Sequence, residues 1–187
     1  MKRTLCRWIL HLSGWTIGPD GGDIRKSVIC VAPHTSNLDL TLGKLFYNAL
    51  GKKSKFLMKK EWFFFPFNVI FKSMGGIPIN RDKSSSTTAQ IAREFARHDI
   101  FHIAITPEGT RKRTKEWKRG FYYIALKAGI PIQVAYIDYG KKEVGIKAIF
   151  YPTGNADADI LTIRSMYDGI KGYHDKNFEK LKMTLKY

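Results

Sequence analysis

Short apolar runs rich in β-branched residues recur along this chain, and most are followed by a segment whose apolar residues repeat at helical spacing. Val28 to Ala32 is such a run, and Leu38 to Leu50 carries the helical repeat after it. Lys55 to Met58 is predicted as a second strand, Glu61 to Met74 as a helix interrupted near Pro66, and Gly76 to Asn80 as a third strand after paired glycines. Ser86 or Thr87 caps a helix in which Thr88, Ala89, Ala92, Phe95 and Ala96 share a stripe, and Ile100 to Ile105 reads as a buried strand. Gly120 to Ala128 is predicted helical and closed by Gly129, Pro131 to Ile137 and Val144 to Phe150 as strands, and the region from about Asp157 as helical. Parallel neighbours in a sheet need crossovers of helix length, so this alternation predicts an α/β fold with a largely parallel sheet and helices on both faces. The 187 residues show no repeat, low-complexity tract or dividing linker, which predicts one domain over residues 1–187.

Lysine and arginine number 32 against 16 acidic residues, and the net charge of +16 creates a field that attracts nucleic acid, anionic lipid headgroups or acidic carrier molecules alike. Two cysteines, Cys6 and Cys30, are too few and too far apart for a disulfide framework or a metal knuckle, which fits a reducing compartment. The N-terminus lacks the continuous apolar region of a signal peptide, and the apolar stretch from Trp62 to Phe71 is about half of the ~20 residues that a membrane span needs. Leu5, Trp8, Ile9, Leu12 and Trp15 fall at helical spacing, so residues 1–15 read either as an interfacial helix or as one docked on the domain's own core. Lys52, Lys53, Lys55, Lys59 and Lys60 precede Phe63, Phe64, Phe65, Phe67 and Phe71, a pairing of cations and rings that suits a lipid interface and equally a core or acyl pocket.

The chemistry-bearing residues cluster where strands end, the place where ligands gather in α/β sheets. The first run leads directly into Pro33-His34-Thr35-Ser36-Asn37-Leu38-Asp39. Residues five apart lie on different faces of a continuous helix. With Ser36 or Asn37 as the cap and His34 left in the loop, however, Asp39 in the first turn reaches back to the imidazole. A carboxylate on one ring nitrogen fixes the tautomer and leaves the other nitrogen to take a proton from an alcohol. Ile100 to Ile105 ends in Thr106-Pro107-Glu108-Gly109-Thr110-Arg111, where Gly109 permits close backbone approach, Thr110 offers a hydroxyl and Arg111 a fork suited to phosphate. Glu108 is expected to orient Arg111, to bind an acceptor hydroxyl, or to form an exposed salt bridge in a turn. Arg81, after Gly75 to Asn80, is placed to meet an anion or to pair with Asp82. No G-x-S-x-G occurs, so direct proton abstraction is the simpler proposal.

In this order the segments resemble the four motif blocks of the glycerolipid acyltransferase superfamily, which includes the 1-acylglycerol-3-phosphate acyltransferases. His34 and Asp39 match its H-x4-D pair, Gly75 to Arg81 the block ending in arginine, Pro107 to Arg111 the P-E-G-T-R block, and Ile130-Pro131 the fourth, so the match spans roughly residues 28–137. The resemblance implies a glycerol-3-phosphate acyltransferase-like fold and transfer of a fatty acyl group from acyl-CoA or acyl-carrier protein to a hydroxyl of a lysophospholipid-type acceptor, in phospholipid biosynthesis. It further implies a His34 base assisted by Asp39, no metal, no other cofactor and no acyl-enzyme. Arg81, Glu108, Gly109, Thr110 and Arg111 become acceptor- and phosphate-binding residues, and Pro131 supports the acyl end of the site. Pro33, Pro78, Thr106, Lys112 and Val134 depart from the commonest pattern and weaken the choice of acceptor.

The expected partners are an acyl donor, a lyso-lipid acceptor and an anionic membrane surface, with the protein peripheral on the cytoplasmic face. Arg111, Lys112, Arg113, Lys115, Lys118 and Arg119 form a basic loop suited to donor phosphates or an acidic carrier protein. A basic nucleic-acid-binding module is the rival from another class. It offers no RNP-like block, zinc-finger spacing or helix-turn-helix and gives no reason for His34, Asp39 and Glu108 at strand ends. An esterase or thioesterase, passing the acyl group to water, is the second rival.

Overall fold

Strands buried on both faces read as continuous apolar runs, and the runs described above become the centre of a sheet. The computed structural model describes residues 2–79 and 84–178. In chain order it holds α1 (Lys2–Leu12), β1 (Thr16–Ile17), β2 (Lys26–Ala32), α2 (Leu38–Ala49), β3 (Lys55–Lys59), α3 (Phe67–Ser73) and β4 (Gly76–Ile79). There follow α4 (Ser84–Arg97), β5 (Phe101–Ile105), α5 (Gly120–Ala128), β6 (Ile132–Asp138), β7 (Glu143–Phe150) and α6 (Ala156–Ser165), with short 3-10 turns at Lys60–Trp62 and Asp175–Asn177.

The seven strands form one sheet in the order β1-β7-β6-β2-β5-β3-β4. The five strands from β6 to β4 are mutually parallel, whereas β7 runs antiparallel to β6 and carries β1 parallel to itself. The fold is therefore α/β with a mostly parallel sheet, as expected. Alternation along β2 sends Val28, Cys30 and Ala32 to one face, where they pack with Phe95 of α4, Phe121 and Ile124 of α5, and Ile163 of α6. Ile29 points to the other face and joins Cys6 and Leu10 of α1 and Leu42 and Phe46 of α2. All β-to-α connections of the parallel strands leave from the same end, which is the end that carries the site.

Local signals account for most boundaries. Gly129 adopts φ 62°, the left-handed conformation that ends α5, and its N–H reaches the carbonyls of Ala125 and Leu126. The Asn155 side chain accepts the N–H of Ala158 and starts α6. Pro66 divides the expected 61–74 helix, since α3 begins only after it.

Several expectations are corrected. The α4 helix starts at Ser84, before the Ser86 or Thr87 cap. The helical C-terminal region ends at Ser165, and the chain then turns back across the sheet end, where the Tyr139 N–H donates to the Lys171 carbonyl over 2.8 Å. The two-residue β1 was not foreseen, being too short to show a period. α1 shows both predicted behaviours, because Cys6 and Leu10 are buried while Leu5, Trp8, Ile9 and Leu12 stay exposed.

Candidate active site

β2 ends at Ala32 and α2 begins at Leu38, so His34 lies in the loop at the carboxyl end of a central parallel strand. Its Nδ1 lies 3.0 Å from Asp39 Oδ2. The same oxygen accepts the backbone N–H groups of Thr35 at 2.9 Å and Ser36 at 3.0 Å. Asp39 thus reaches back from the first turn as expected, and its carboxylate bonds the N–H groups that precede the helix. The expected caps act differently. Asn37 makes no capping bond, and Ser36 Oγ accepts the Leu38 N–H at 3.2 Å.

The other carboxylate oxygen of Asp39 accepts the Tyr139 hydroxyl at 2.7 Å. Tyr139 follows β6 directly and is 100 residues from Asp39 in sequence. Burial, then the hydrogen bond to Asp39, pushes its phenol above the ordinary range, so it remains a donor. Asp39 therefore faces donors only. An ionised carboxylate has no proton to give, so Nδ1 of His34 carries the hydrogen between them and Nε2 holds the free lone pair. The Asp39 side chain is 2% exposed and that of His34 21%, so the carboxylate is sealed while the ring edge opens outward.

Glu108 binds neither Arg111 nor an exposed partner. It is buried, and its Oε1 accepts the backbone N–H of His34 at 2.8 Å. Burial pushes its carboxyl up to about 7, with Asp39 adding to the rise, while the His34 N–H and the Arg164 charge oppose it. The contact joins the β5 loop to the β2 loop, a link that sequence spacing does not reveal. Gly109 sits at φ 63°, where a Cβ would come within 3.0 Å of the Lys118 stem. The Thr110 hydroxyl oxygen accepts the Lys112 N–H at 3.2 Å and shapes the turn. Arg111 is exposed and donates from Nη1 to Asn37 Oδ1, which brings its guanidinium to the loop of His34.

The segment after α6 completes the loop's support. The His174 N–H donates to Thr35 Oγ1 at 3.2 Å, and a Cβ on Gly172 would lie 2.7 Å from that oxygen. The Tyr139 ring packs edge-on against Trp15 and Tyr173, at centroid distances of 5.1 and 5.2 Å. Sequence reading missed Tyr139, Gly172 and His174. The one available signal was the position of Tyr139 just past a strand end.

Two expected residues fall elsewhere. Arg81 lies outside the described residues. Pro131 does not support the site, because it precedes β6, whose Ile132 pairs with Val28 near the start of β2. That register places it about 20 Å from His34 along the strands, at ~3.3 Å per residue. It borders a depression of about 490 Å³ lined also by Asp23, Arg25, Lys26, Asp99 and Tyr151, at the sheet end remote from His34. Its carbonyl accepts the Val28 N–H at 3.1 Å, a structural role. Among the described residues, no group of three or more His, Cys, Asp or Glu side chains converges as a metal site would.

A comparison with curated proteins finds no match. Among solved structures, the chain is similar to the 1-acyl-sn-glycerophosphate (LPA) acyltransferase of Thermotoga maritima, with a TM-score of 0.58 and 16% identity. That alignment covers 86% of this chain and 72% of the other. Likeness at this identity speaks for the fold. The family itself is carried by a match to the Acyltransferase family over residues 19–138, which contains His34, Asp39, Glu108, Arg111 and Tyr136 and stops one residue short of Tyr139. Strand-end base, paired carboxylate and family match agree, and the chain is a member of the acyltransferase family within the glycerolipid acyltransferase superfamily.

Proposed function

We propose that the protein transfers a fatty acyl group from a thioester donor, acyl-CoA or acyl-carrier protein, to a hydroxyl of a lyso-lipid such as 1-acylglycerol-3-phosphate, with His34 as general base. The observation that carries this reading is the 3.0 Å contact between His34 Nδ1 and the sealed Asp39 carboxylate, which leaves Nε2 at the open side of a strand-end loop. An acceptor hydroxyl bonded to Nε2 gives up its proton as its oxygen attacks the thioester carbonyl. The new C–O bond forms and the C–S bond breaks. The imidazolium, stabilised by Asp39, returns the proton to the departing thiolate, so no acyl-enzyme is required.

Arg111 supports an anionic acceptor, because its fork stands at Asn37, three residues from His34. The exposed basic residues Lys112, Lys115 and Lys118 on the same loop suit the donor's phosphates or an acidic carrier. No helix among the described residues is long and apolar enough to cross a membrane. The reading therefore places the protein peripherally, on the cytoplasmic face of a membrane that supplies its acceptor.

The test is incubation of wild type and His34→Ala with labelled acyl-CoA or acyl-carrier protein and a panel of lyso-lipids, with products identified by mass. Wild type is expected to yield acylated lipid, and His34→Ala none while keeping its fold. Near-normal turnover in the variant rejects His34 as the base, and free fatty acid as the main product identifies a hydrolase instead.

A further inference from the structure

Most of the large apolar side chains that stay exposed among the described residues belong to one face of the molecule, and the sheet register shows why. Ala104 of β5 packs with the α1 and α2 cluster, and Phe56 of β3 pairs with Ala104, so Phe56 points to that same side. Lys44 of α2 sits over the Phe56 ring, 5.8 Å from its centroid. Gly76 pairs with Phe56, and a Cβ there would meet the Phe71 carbonyl at 2.8 Å and the Phe63 ring at 3.2 Å. The segment 62–73 therefore covers the same face as α1 and α2, and the three helices run in the order α1, α2, α3 across the sheet from β1 to β4. The opposite face belongs to α4, α5 and α6.

On this layer Trp8 is 60% exposed, Leu12 75%, Leu38 52%, Trp62 54%, Phe64 54% and Phe65 81%. Leu38 opens α2 immediately after the His34 loop, which makes the apolar layer continuous with the site. Exposed Lys2, Lys53, Lys60 and Lys72 border the rings. Apolar side chains ringed by cations match the headgroup zone of an anionic bilayer. A second copy of this chain is disfavoured on the same face, since each copy carries +16 and the face itself is basic at its rim.

We infer that the α1–α2–α3 layer is the surface by which the protein lies on an anionic lipid bilayer, with Trp8 and Leu12 on one flank and Trp62, Phe64 and Phe65 on the other. In that pose the His34 loop meets the lipid at the end of α2 where Leu38 enters the headgroups. A lyso-lipid can then present its hydroxyl to Nε2 without leaving the membrane. This rests on the proposed acceptor class only for the purpose of the pose, not for the contact itself.

The experiment compares the full chain with the triple variant Trp62→Ser, Phe64→Ser, Phe65→Ser, using phosphatidylcholine vesicles with and without phosphatidylglycerol. Wild type is expected to sediment with the anionic vesicles and to show a blue shift in tryptophan emission. The variant's partition coefficient is expected to fall roughly tenfold or more, since three rings lose burial. Its turnover on a water-soluble, short-chain acceptor is expected to match wild type, while turnover on acceptor embedded in vesicles falls. Equal partitioning of the two proteins overturns the inference, as does a wild-type dimer in sedimentation equilibrium that the variant abolishes. Lack of turnover on any soluble acceptor refutes the proposed reaction instead, and leaves the vesicle result to be judged by itself.

Discussion

Replacing Tyr139 with phenylalanine removes one hydroxyl from the His34 site and nothing else that touches the ring. The hydroxyl is a 2.7 Å donor to Asp39, and Asp39 is 4% exposed, so solvent does not readily take its place. A hydrogen bond to an ionised group contributes about 1.5–3 kcal/mol, and leaving a buried acceptor unpaired costs a similar amount. Asp39 would keep three donors, all on its other oxygen, namely Nδ1 of His34 and the N–H groups of Thr35 and Ser36. The carboxylate is then free to rotate about that side, and the imidazole it orients follows. If the whole loss appears in the reaction step, turnover falls by ~10- to 150-fold.

The two consequences are separable. Stability is read by urea unfolding at neutral pH, and catalysis by steady-state kinetics with saturating donor. A positioning role predicts a fall in kcat with an acceptor KM within about twofold of wild type, because Tyr139 does not face the acceptor. Tyr139→Phe also keeps the ring that packs against Trp15 and Tyr173, so lost packing cannot account for the change. A variant with wild-type kcat would refute the idea that Tyr139 fixes the base, even if its stability fell. A rise in KM alone would place Tyr139 in the acceptor site.

Three further outcomes follow from the same geometry. Glu108 has a folded value of about 7 against an ordinary 4.5, so the native state keeps a proton that the unfolded chain releases. This favours folding fully below pH 4.5 and is lost as the pH rises through 7, a swing of about 3 kcal/mol at ~1.36 kcal/mol per pH unit. The stability of Glu108→Gln relative to wild type should therefore improve by up to that amount between pH 4.5 and 8 in urea titrations, and a constant difference would show that Glu108 does not titrate there. Gly172→Ala puts a Cβ 2.7 Å from Thr35 Oγ1, so displacement of the His34 loop should cost ~1–3 kcal/mol of stability and lower kcat; wild-type values in both would show that the segment yields instead. Arg111→Ala should raise the acceptor KM about tenfold or more for phosphorylated lyso-lipids and much less for uncharged ones, and an equal effect on both would remove Arg111 from headgroup recognition.

The legible parts of the molecule were those governed by local spacing. The parallel core from β2 to β6 followed from apolar runs separated by helix-length crossovers, and Gly129 and Pro66 marked boundaries through backbone constraints of their own. The reach from Asp39 to His34 was legible for the same reason, since it needs only a loop followed by one helical turn. Contacts between distant segments were not. Glu108 is 74 residues from His34, and nothing local distinguishes a carboxyl that accepts a buried N–H from one in an exposed turn. The antiparallel direction of β7 is equally silent in its residue pattern, because a strand buried on both faces reads the same either way. Pro131 shows the converse error, for a motif position is not a location. Register alone revealed that it stands at the other end of the sheet.

His34 is held from four directions by segments that folding must bring together. Glu108 of the β5 loop fixes its backbone, Asp39 its ring, Tyr139 the carboxylate behind the ring, and the 172–174 segment the neighbouring Thr35. Each of these groups is bonded within the protein, so the orientation of the base is established on folding and need not be assembled by substrate binding. The same closure limits what the group can recognise, since none of its members has a hydrogen-bonding atom left to spare for a headgroup except Nε2 itself. Selection of the acceptor must then fall to the rim, where Arg111 and the basic loop after it meet solvent, and to the surface that presents the lipid. This is where Thr106 and Lys112 depart from the commonest family pattern. A fixed base inside a variable rim is the arrangement expected of a family that keeps one reaction and changes its acceptor.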